Sequence, residues 1–395
     1  MAARERDPSI AIETVSRRSA IAPFIAMDIK SAANALESEG RRILHMEIGE
    51  PGAGTPASIR AAAQAALAVG RIGYTESLGW RPLRERIARH YGDHYGIDVP
   101  ARRIAITTGS SAAFNLAFLA AFDHGDRVAI AAPGYPAYRN ILAALGLQVV
   151  ELPTAARDRH AVTPQMLEEA HQAAPLAGIL IASPANPTGT LMAPEALKAL
   201  IDTADRLGIR FISDEIYHRL VYAGSEATAL AFSDKTIVIN SFSKYYCMTG
   251  WRIGWMVLPE ALVRPVERIT QSLYISAPEL SQRAALAAFE ATAELEAIKA
   301  GYALNRTLLL ERLPTIGFDD FFPVDGAFYI YASIRRFAND SVAFSQAMLA
   351  EAGVAAAPGL DFDHARGDGY MRLSFAGSQA EIAEAVERIS GWLKR

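Results

Sequence analysis

From about residue 100 to 260, short apolar runs alternate with stretches whose apolar residues recur every three or four positions. Residues 104–106, 127–131, 148–152, 178–182, 210–213 and 236–239 are short, rich in Ile, Val, Leu and Ala, and predict strands. Helical spacing runs through residues 164–173 and 193–207, the latter closed by Gly208. This alternation predicts an α/β fold in which a mostly parallel central sheet is flanked by helices. In such sheets ligands collect beyond the carboxyl ends of the strands, so the strand ends are where chemistry is to be sought. A further strand is expected over residues 251–258. Residues 280–315 read as one continuous helix, 326–331 and 370–375 as strands with a helix between them, and 379–393 as a last helix. We expect a large domain over residues 46–290. Residues 1–45 and 291–395, from the two chain ends, would form a smaller α+β domain.

A chain of 395 residues is long enough for two cores, and its 51% hydrophobic and 21% charged residues are ordinary for a globular enzyme. The net charge of −4 leaves no basic footprint for nucleic acid. Cys247 is the single cysteine, so neither a disulfide framework nor a cysteine metal site is expected, and no metal is called for. The first 20 residues mix Arg, Glu, Asp and Ser and do not read as a secretory signal. No apolar run is long enough for a membrane helix, the Ala-rich residues 61–68 reading instead as an ordinary helix. A cytoplasmic location is the expectation.

The segment Ser241-Phe-Ser-Lys-Tyr-Tyr-Cys-Met-Thr-Gly-Trp-Arg252 changes the picture. It sets Lys244, one of only six lysines in the chain, at the end of a predicted strand, with hydroxyls at Ser241 and Ser243 and a guanidinium eight residues on. A lysine amine can condense with a carbonyl, and hydroxyls with an arginine can hold a phosphate. That is the chemistry of a pyridoxal phosphate site. A solvated lysine in a loop is the plain alternative for this segment alone.

Other strand ends carry matching groups. Asp214 closes the strand at 210–213 and can keep a pyridine nitrogen protonated, or merely cap a helix. Tyr217 follows it and can donate to the cofactor's phenolate oxygen. Asn186, in Ser183-Pro-Ala-Asn-Pro-Thr-Gly189, sits in a turn fixed by two prolines, with Asn186–Pro187 a candidate cis peptide. Its amide could reach the same oxygen, or the turn could be purely structural. Residues 107–113, Thr-Thr-Gly-Ser-Ser-Ala-Ala, open a helix straight after a strand, and the backbone at Gly109 and Ser110 suits an anion. Tyr135 can stack on a flat ring or simply pack. In 370–375 the alternation puts Tyr370, Arg372 and Ser374 on one face, and an arginine in an apolar strand needs a carboxylate, bound or internal. Gly49 lets backbone approach a ligand, and Tyr74 lies in a loop before the helix that begins near Pro82.

Taken in order, Gly49, Tyr74, residues 108–110, Tyr135, Asn186, Asp214, Tyr217, Ser241, Lys244, Arg252 and Arg372 resemble the class I/II aminotransferases of fold type I, in the branch of the bacterial aspartate and aromatic enzymes. The resemblance spans about Ile48 to Phe375. It implies that Lys244 is the Schiff-base lysine and proton shuttle, that Asp214 pairs with the pyridine nitrogen, and that Asn186 and Tyr217 hold the phenolate. It further implies that Ser241, Arg252, Gly109 and Ser110 bind the phosphate and that Tyr135 covers the ring. Arg372 would clamp the substrate carboxylate, and Tyr74 would reach over from the second subunit of a homodimer. One departure stands out: aspartate-directed relatives carry a lysine where this chain has Ser110, which puts acidic-substrate specificity in doubt.

The function expected is transfer of an amino group between an L-amino acid and a 2-oxo acid by a ping-pong mechanism, with glutamate and 2-oxoglutarate as one pair. A C–S β-lyase on the same scaffold would share every cofactor residue. A cofactor-binding regulatory module would need a DNA-binding segment, for which the first 45 residues are too short and lack a basic helix.

Overall fold

The computed structural model describes residues 15–318 and 320–395. Residues 1–14, part of the stretch argued above not to be a signal and of the expected smaller domain, lie outside the described residues. The first strand, β1 (Leu44–Met46), belongs to a small sheet. The next seven, β2 (Ile104–Thr107), β3 (Arg127–Ala132), β4 (Gln148–Pro153), β5 (Gly178–Ala182), β6 (Arg210–Asp214), β7 (Ile237–Ser241) and β8 (Gly254–Val257), form a large sheet ordered β2-β8-β7-β6-β5-β3-β4. β8 alone runs against its neighbours, and the other pairings among β3 to β7 are parallel. Fold type I, with its mostly parallel seven-stranded sheet flanked by helices, is therefore the fold.

The central strands β5, β6 and β7 are buried on both faces, which is why they read as unbroken apolar runs instead of alternating ones. The helix Pro194–Leu207 shows how the flanking layers are specified. Proline opens its first turn beside Glu195, Arg206 closes the last, and Gly208 takes the left-handed conformation at φ +70°. Leu197, Leu200, Ile201 and Ala204 line its buried face. Each such leucine or isoleucine contributes about 1.5–3 kcal/mol when fully buried.

β9 (Tyr329–Ser333), β10 (Val354–Pro358) and β11 (Tyr370–Ser374) complete the small sheet in the order β1-β10-β11-β9. β1 pairs with β10 in parallel, Leu44 opposite Val354. The chain before the large sheet is thus tied to the chain after it. Arg366, two of whose nitrogens donate to the carbonyls of Thr154 and Ala132 at 2.8 Å, fastens the small-sheet side to the ends of β3 and β4.

Several expectations need correction. Residues 280–315 are not one helix but two, Glu279–Ala288 and Thr292–Arg312. The break falls at Phe289, whose side chain turns inward against Phe242 and Tyr246 and receives the Arg86 guanidinium over its ring at 4.3 Å. The strand expected at 251–258 begins only at Gly254, because Thr249–Trp251 is a 3-10 turn and Arg252 is left-handed at φ +49°. The strand expected from residue 326 begins at Tyr329, after a turn in which Ala327 has φ +58°. The helix Ile25–Ser38 and strand β10 had no sequence forecast. Among the described residues no helix is long and apolar enough to cross a membrane, and no cluster of ligating side chains could hold a metal.

Candidate active site

The carboxyl ends of the large sheet converge on one cavity of about 190 Å³, closed on its other side by the small sheet and the start of the Ile25–Ser38 helix. β2 delivers Ser110, β3 delivers Tyr135, β5 delivers Asn186, β6 ends on Asp214 and leads to Tyr217, and β7 leads to Ser243 and Lys244. Because β8 runs the other way, Arg252, two residues before it, arrives at the same rim. Arg372 and Tyr329 come from β11 and β9.

The helix Gly109–Ala121 aims its first turn at this rim, where N–H groups have no intrahelical acceptor. Gly109 is left-handed at φ +74°, and a Cβ there would lie 2.5 Å from an Arg252 nitrogen. Gly254 is constrained too, since a Cβ would lie 2.8 Å from the Asn240 carbonyl oxygen and 3.2 Å from the Ser110 nitrogen. These two glycines let the helix start, the Arg252 guanidinium and the head of β8 crowd together into a cationic, donor-rich cradle. Ser241 stands one layer behind it: its buried hydroxyl contacts the Ser243 hydroxyl at 2.9 Å and donates to the Ile253 carbonyl at 3.1 Å.

Lys244 Nζ donates to the Gly49 carbonyl at 2.5 Å. Burial pushes its ammonium down from 10.5 to about 8, the Arg372 and Arg252 guanidiniums press the same way, and Glu50 and Asp214 oppose them. Asp214 is pushed up to about 6 by burial, while the Tyr138 hydroxyl and the Ile216 N–H, both donating to its carboxylate, hold it back. Tyr135 meets Tyr138 edge to face at 5.3 Å and Phe24 at 5.8 Å, and so forms a wall of the cavity.

Arg372 is 3% exposed, yet no carboxylate pairs with it among the described residues. It donates to Asn186 Oδ1 at 3.1 Å and to the Glu47 carbonyl, and its Nε has no partner. Its guanidinium lies over the rings of Tyr329 at 4.4 Å and Phe362 at 4.8 Å. The internal salt bridge that the sequence left open is therefore absent among the described residues. Gly49 has a use beyond close approach to a ligand, since a Cβ there would fall 1.7 Å from the Tyr329 hydroxyl.

The structure brings Gly49, Ser110, Tyr135, Asn186, Asp214, Tyr217, Lys244, Arg252 and Arg372 to the cavity wall, with Gly109 and Ser241 directly behind it. Tyr74 is the exception: it is 81% exposed and lines no part of the cavity. The candidate cis bond at Asn186–Pro187 is cis, as are Ala132–Pro133 and Ser183–Pro184. Sequence reasoning missed Tyr138, Tyr329, Phe24 and Met27. Tyr138 follows Tyr135 by one helical turn and Tyr329 shares a strand face with Tyr331, so periodicity alone made both look like core.

Comparison with known proteins supplies the family. The profile described as "Aminotransferase class I and II" matches residues 41–389. A valine–pyruvate aminotransferase of Mycobacterium tuberculosis is 49% identical over 385 residues, covering 96% of this chain and 99% of that protein. The crystal structure of an aminotransferase from Mycobacterium tuberculosis superposes with a TM-score of 0.94 at 49% identity, covering 97% of this chain and 99% of the other. The Thermus thermophilus aspartate aminotransferase with maleate gives 0.90 at 31% identity, over 96% of this chain and all (100%) of that one.

Proposed function

We propose that this chain, which belongs to the class I and II aminotransferase family and is a pyridoxal-phosphate-dependent transaminase, moves the amino group of a neutral L-amino acid to a short 2-oxo acid such as pyruvate. The observation that carries the proposal is the set of cations around the cavity: Arg252 in the cradle, Lys244 beneath, and Arg372 as the one guanidinium left, among the described residues, for a substrate carboxylate. The remaining wall on the Arg372 side includes Phe24, Ala26, Met27 and Ile48, none of which can pair with a second carboxylate. The Mycobacterium tuberculosis relative is named for valine and pyruvate, which agrees with such a wall. Glutamate and 2-oxoglutarate, the pair expected from the sequence, each bring a second carboxylate for which this lining offers no further cation among the described residues.

The residues fit pyridoxal phosphate. The first turn at Gly109 and Ser110, the Ser241 and Ser243 hydroxyls and Arg252 would hold the phosphate. Asp214 would face the ring nitrogen, Asn186 and Tyr217 the ring hydroxyl, and Tyr135 the ring face. When bound, the cofactor supplies a carbonyl for the amino group and a ring that draws electrons from the substrate's Cα. Arg372 orients the substrate by its carboxylate, with Asn186 and the Glu47 carbonyl fixing the plane of the fork. Lys244 Nζ removes the Cα proton. With its pKa at about 8, about a tenth of the amines are free at pH 7, against about three in ten thousand at the ordinary 10.5. Phe24 and Tyr135 wall the cavity on one side and Tyr329 on the other.

Tyr74 shares an exposed apolar surface with Ile72, Leu273 and Ile275, and the Gly73 N–H joins this loop to Glu279 at 2.6 Å. A second copy of the chain covering this surface would bring Tyr74 to its neighbour's cradle, the homodimer that the resemblance implies.

The test is a matrix of initial rates, with valine, alanine, phenylalanine, aspartate and glutamate as donors against pyruvate and 2-oxoglutarate. Neutral donors with pyruvate should exceed the acidic donors in kcat/KM by about tenfold or more. Preference for aspartate with 2-oxoglutarate would overturn the proposal. Pyruvate and ammonia released from a thioether amino acid without any acceptor would favour the lyase instead.

A further inference from the structure

We propose that Tyr329 is a positioning residue that sets both the direction of the Tyr217 hydroxyl and the plane of the Arg372 guanidinium, holding the cofactor side and the carboxylate side of the cavity in one register. The inference rests on the roles given above to Tyr217 and Arg372. Tyr329 opens β9, is 1% exposed, and touches three parts of the site at once. Its hydroxyl lies 2.7 Å from that of Tyr217. Its ring carries the Arg372 guanidinium at 4.4 Å, a diagonal contact across the β9–β11 ladder, in which Arg372 stands opposite Tyr331. The same hydroxyl fills the space beside Gly49, whose carbonyl receives the Lys244 ammonium.

A phenol has one proton, so two phenols in contact share one hydrogen bond and one of them must donate. The role given to Tyr217 turns its proton toward the ring hydroxyl of the cofactor, so in that arrangement Tyr329 is the donor and the Tyr217 oxygen the acceptor. Removing the Tyr329 hydroxyl frees the Tyr217 rotor, and removing the ring frees the arginine as well.

Two variants separate these effects, read in the holoenzyme by pH titration of the bound cofactor's absorbance and by kcat and KM for the amino acid. Tyr329→Phe keeps the ring, so KM should stay within twofold while kcat falls about five- to tenfold, the value of one hydrogen bond. The spectral midpoint should move in the same direction as in Tyr217→Phe, by less, and the double variant should show no further shift. Tyr329→Leu should in addition raise KM about tenfold. A Tyr329→Phe enzyme with wild-type midpoint and kcat, or a shift that adds fully to that of Tyr217→Phe, would overturn the proposal. If Tyr217→Phe itself leaves the midpoint unmoved, the role of Tyr217 fails first and this inference falls with it.

Discussion

Lys244 is placed for chemistry at the expense of stability, and the cofactor-free protein should reveal that cost. Between the unfolded chain at 10.5 and the folded protein at about 8, the unfolded state binds more protons. Stability therefore rises with pH across that window, and the penalty is fully present below about 8 and gone above 10.5. At about 1.4 kcal/mol per pH unit the gap corresponds to about 3 kcal/mol. Lys244 is only partly buried and lines the cavity, so solvent screens part of this, and its hydrogen bond to the Gly49 carbonyl contributes about 1 kcal/mol in the opposite sense. Lys244→Met keeps the length of the stem and removes the charge. We expect it to stabilise the cofactor-free protein by about 1–2 kcal/mol at pH 7, with the gain shrinking to nothing by about pH 10. Urea melts of both proteins at one fixed concentration, at pH 7 and pH 10, measure it. A variant less stable than wild type at pH 7, or a difference that does not change with pH, would refute the reasoning.

Gly109→Ala forces a side chain into a left-handed residue and against Arg252, and should weaken pyridoxal phosphate binding to the cofactor-free protein by about tenfold or more; an unchanged Kd in a fluorescence titration would contradict this. Arg372→Lys keeps the charge but loses the planar fork, so KM for the amino acid should rise about a hundredfold with a much smaller change in kcat, and a KM within twofold of wild type would count against the carboxylate clamp. Cofactor affinity should fall as pH drops through about 6, where Asp214 takes a proton. Tyr138→Phe removes a donor that favours the ionised form, so the midpoint of that loss should move to higher pH; a midpoint unmoved or lowered would show that Tyr138 does not act on Asp214.

The α/β frame was legible because β5, β6 and β7 are buried on both faces and so stand out as apolar runs bounded by helices. The polar residues at or just beyond the ends of those runs, Asp214, Asn186 and Lys244, were legible for the same reason, since a charge or amide there has few uses. β10 was not, because Val-Ala-Ala-Ala-Pro has little of the branched or aromatic character that marks a strand, and it is held by β1 and β11 instead of by propensity. The break at Phe289 was hidden because Ala, Leu and Glu continue at helical spacing on both sides, and only the tertiary pocket among Phe242, Tyr246 and Arg86 turns the chain. Tyr138 and Tyr329 escaped notice because a hydroxyl on a core-facing ring gives no sign in one dimension of the partner it meets. Arg372 was seen, but whether it pairs inside the protein could be answered only by packing.

The most direct test of the account is a single turnover of the holoenzyme with L-valine and no acceptor, comparing the wild type with Lys244→Ala. Cofactor absorbance and the released 2-oxo acid would be followed together. The account predicts about one equivalent of 2-oxo acid per site from the wild type, and from the variant a spectral response to valine with no oxo acid released. Release from the variant at the wild-type rate would mean that another group moves the proton, and the assignment of Lys244 would be wrong.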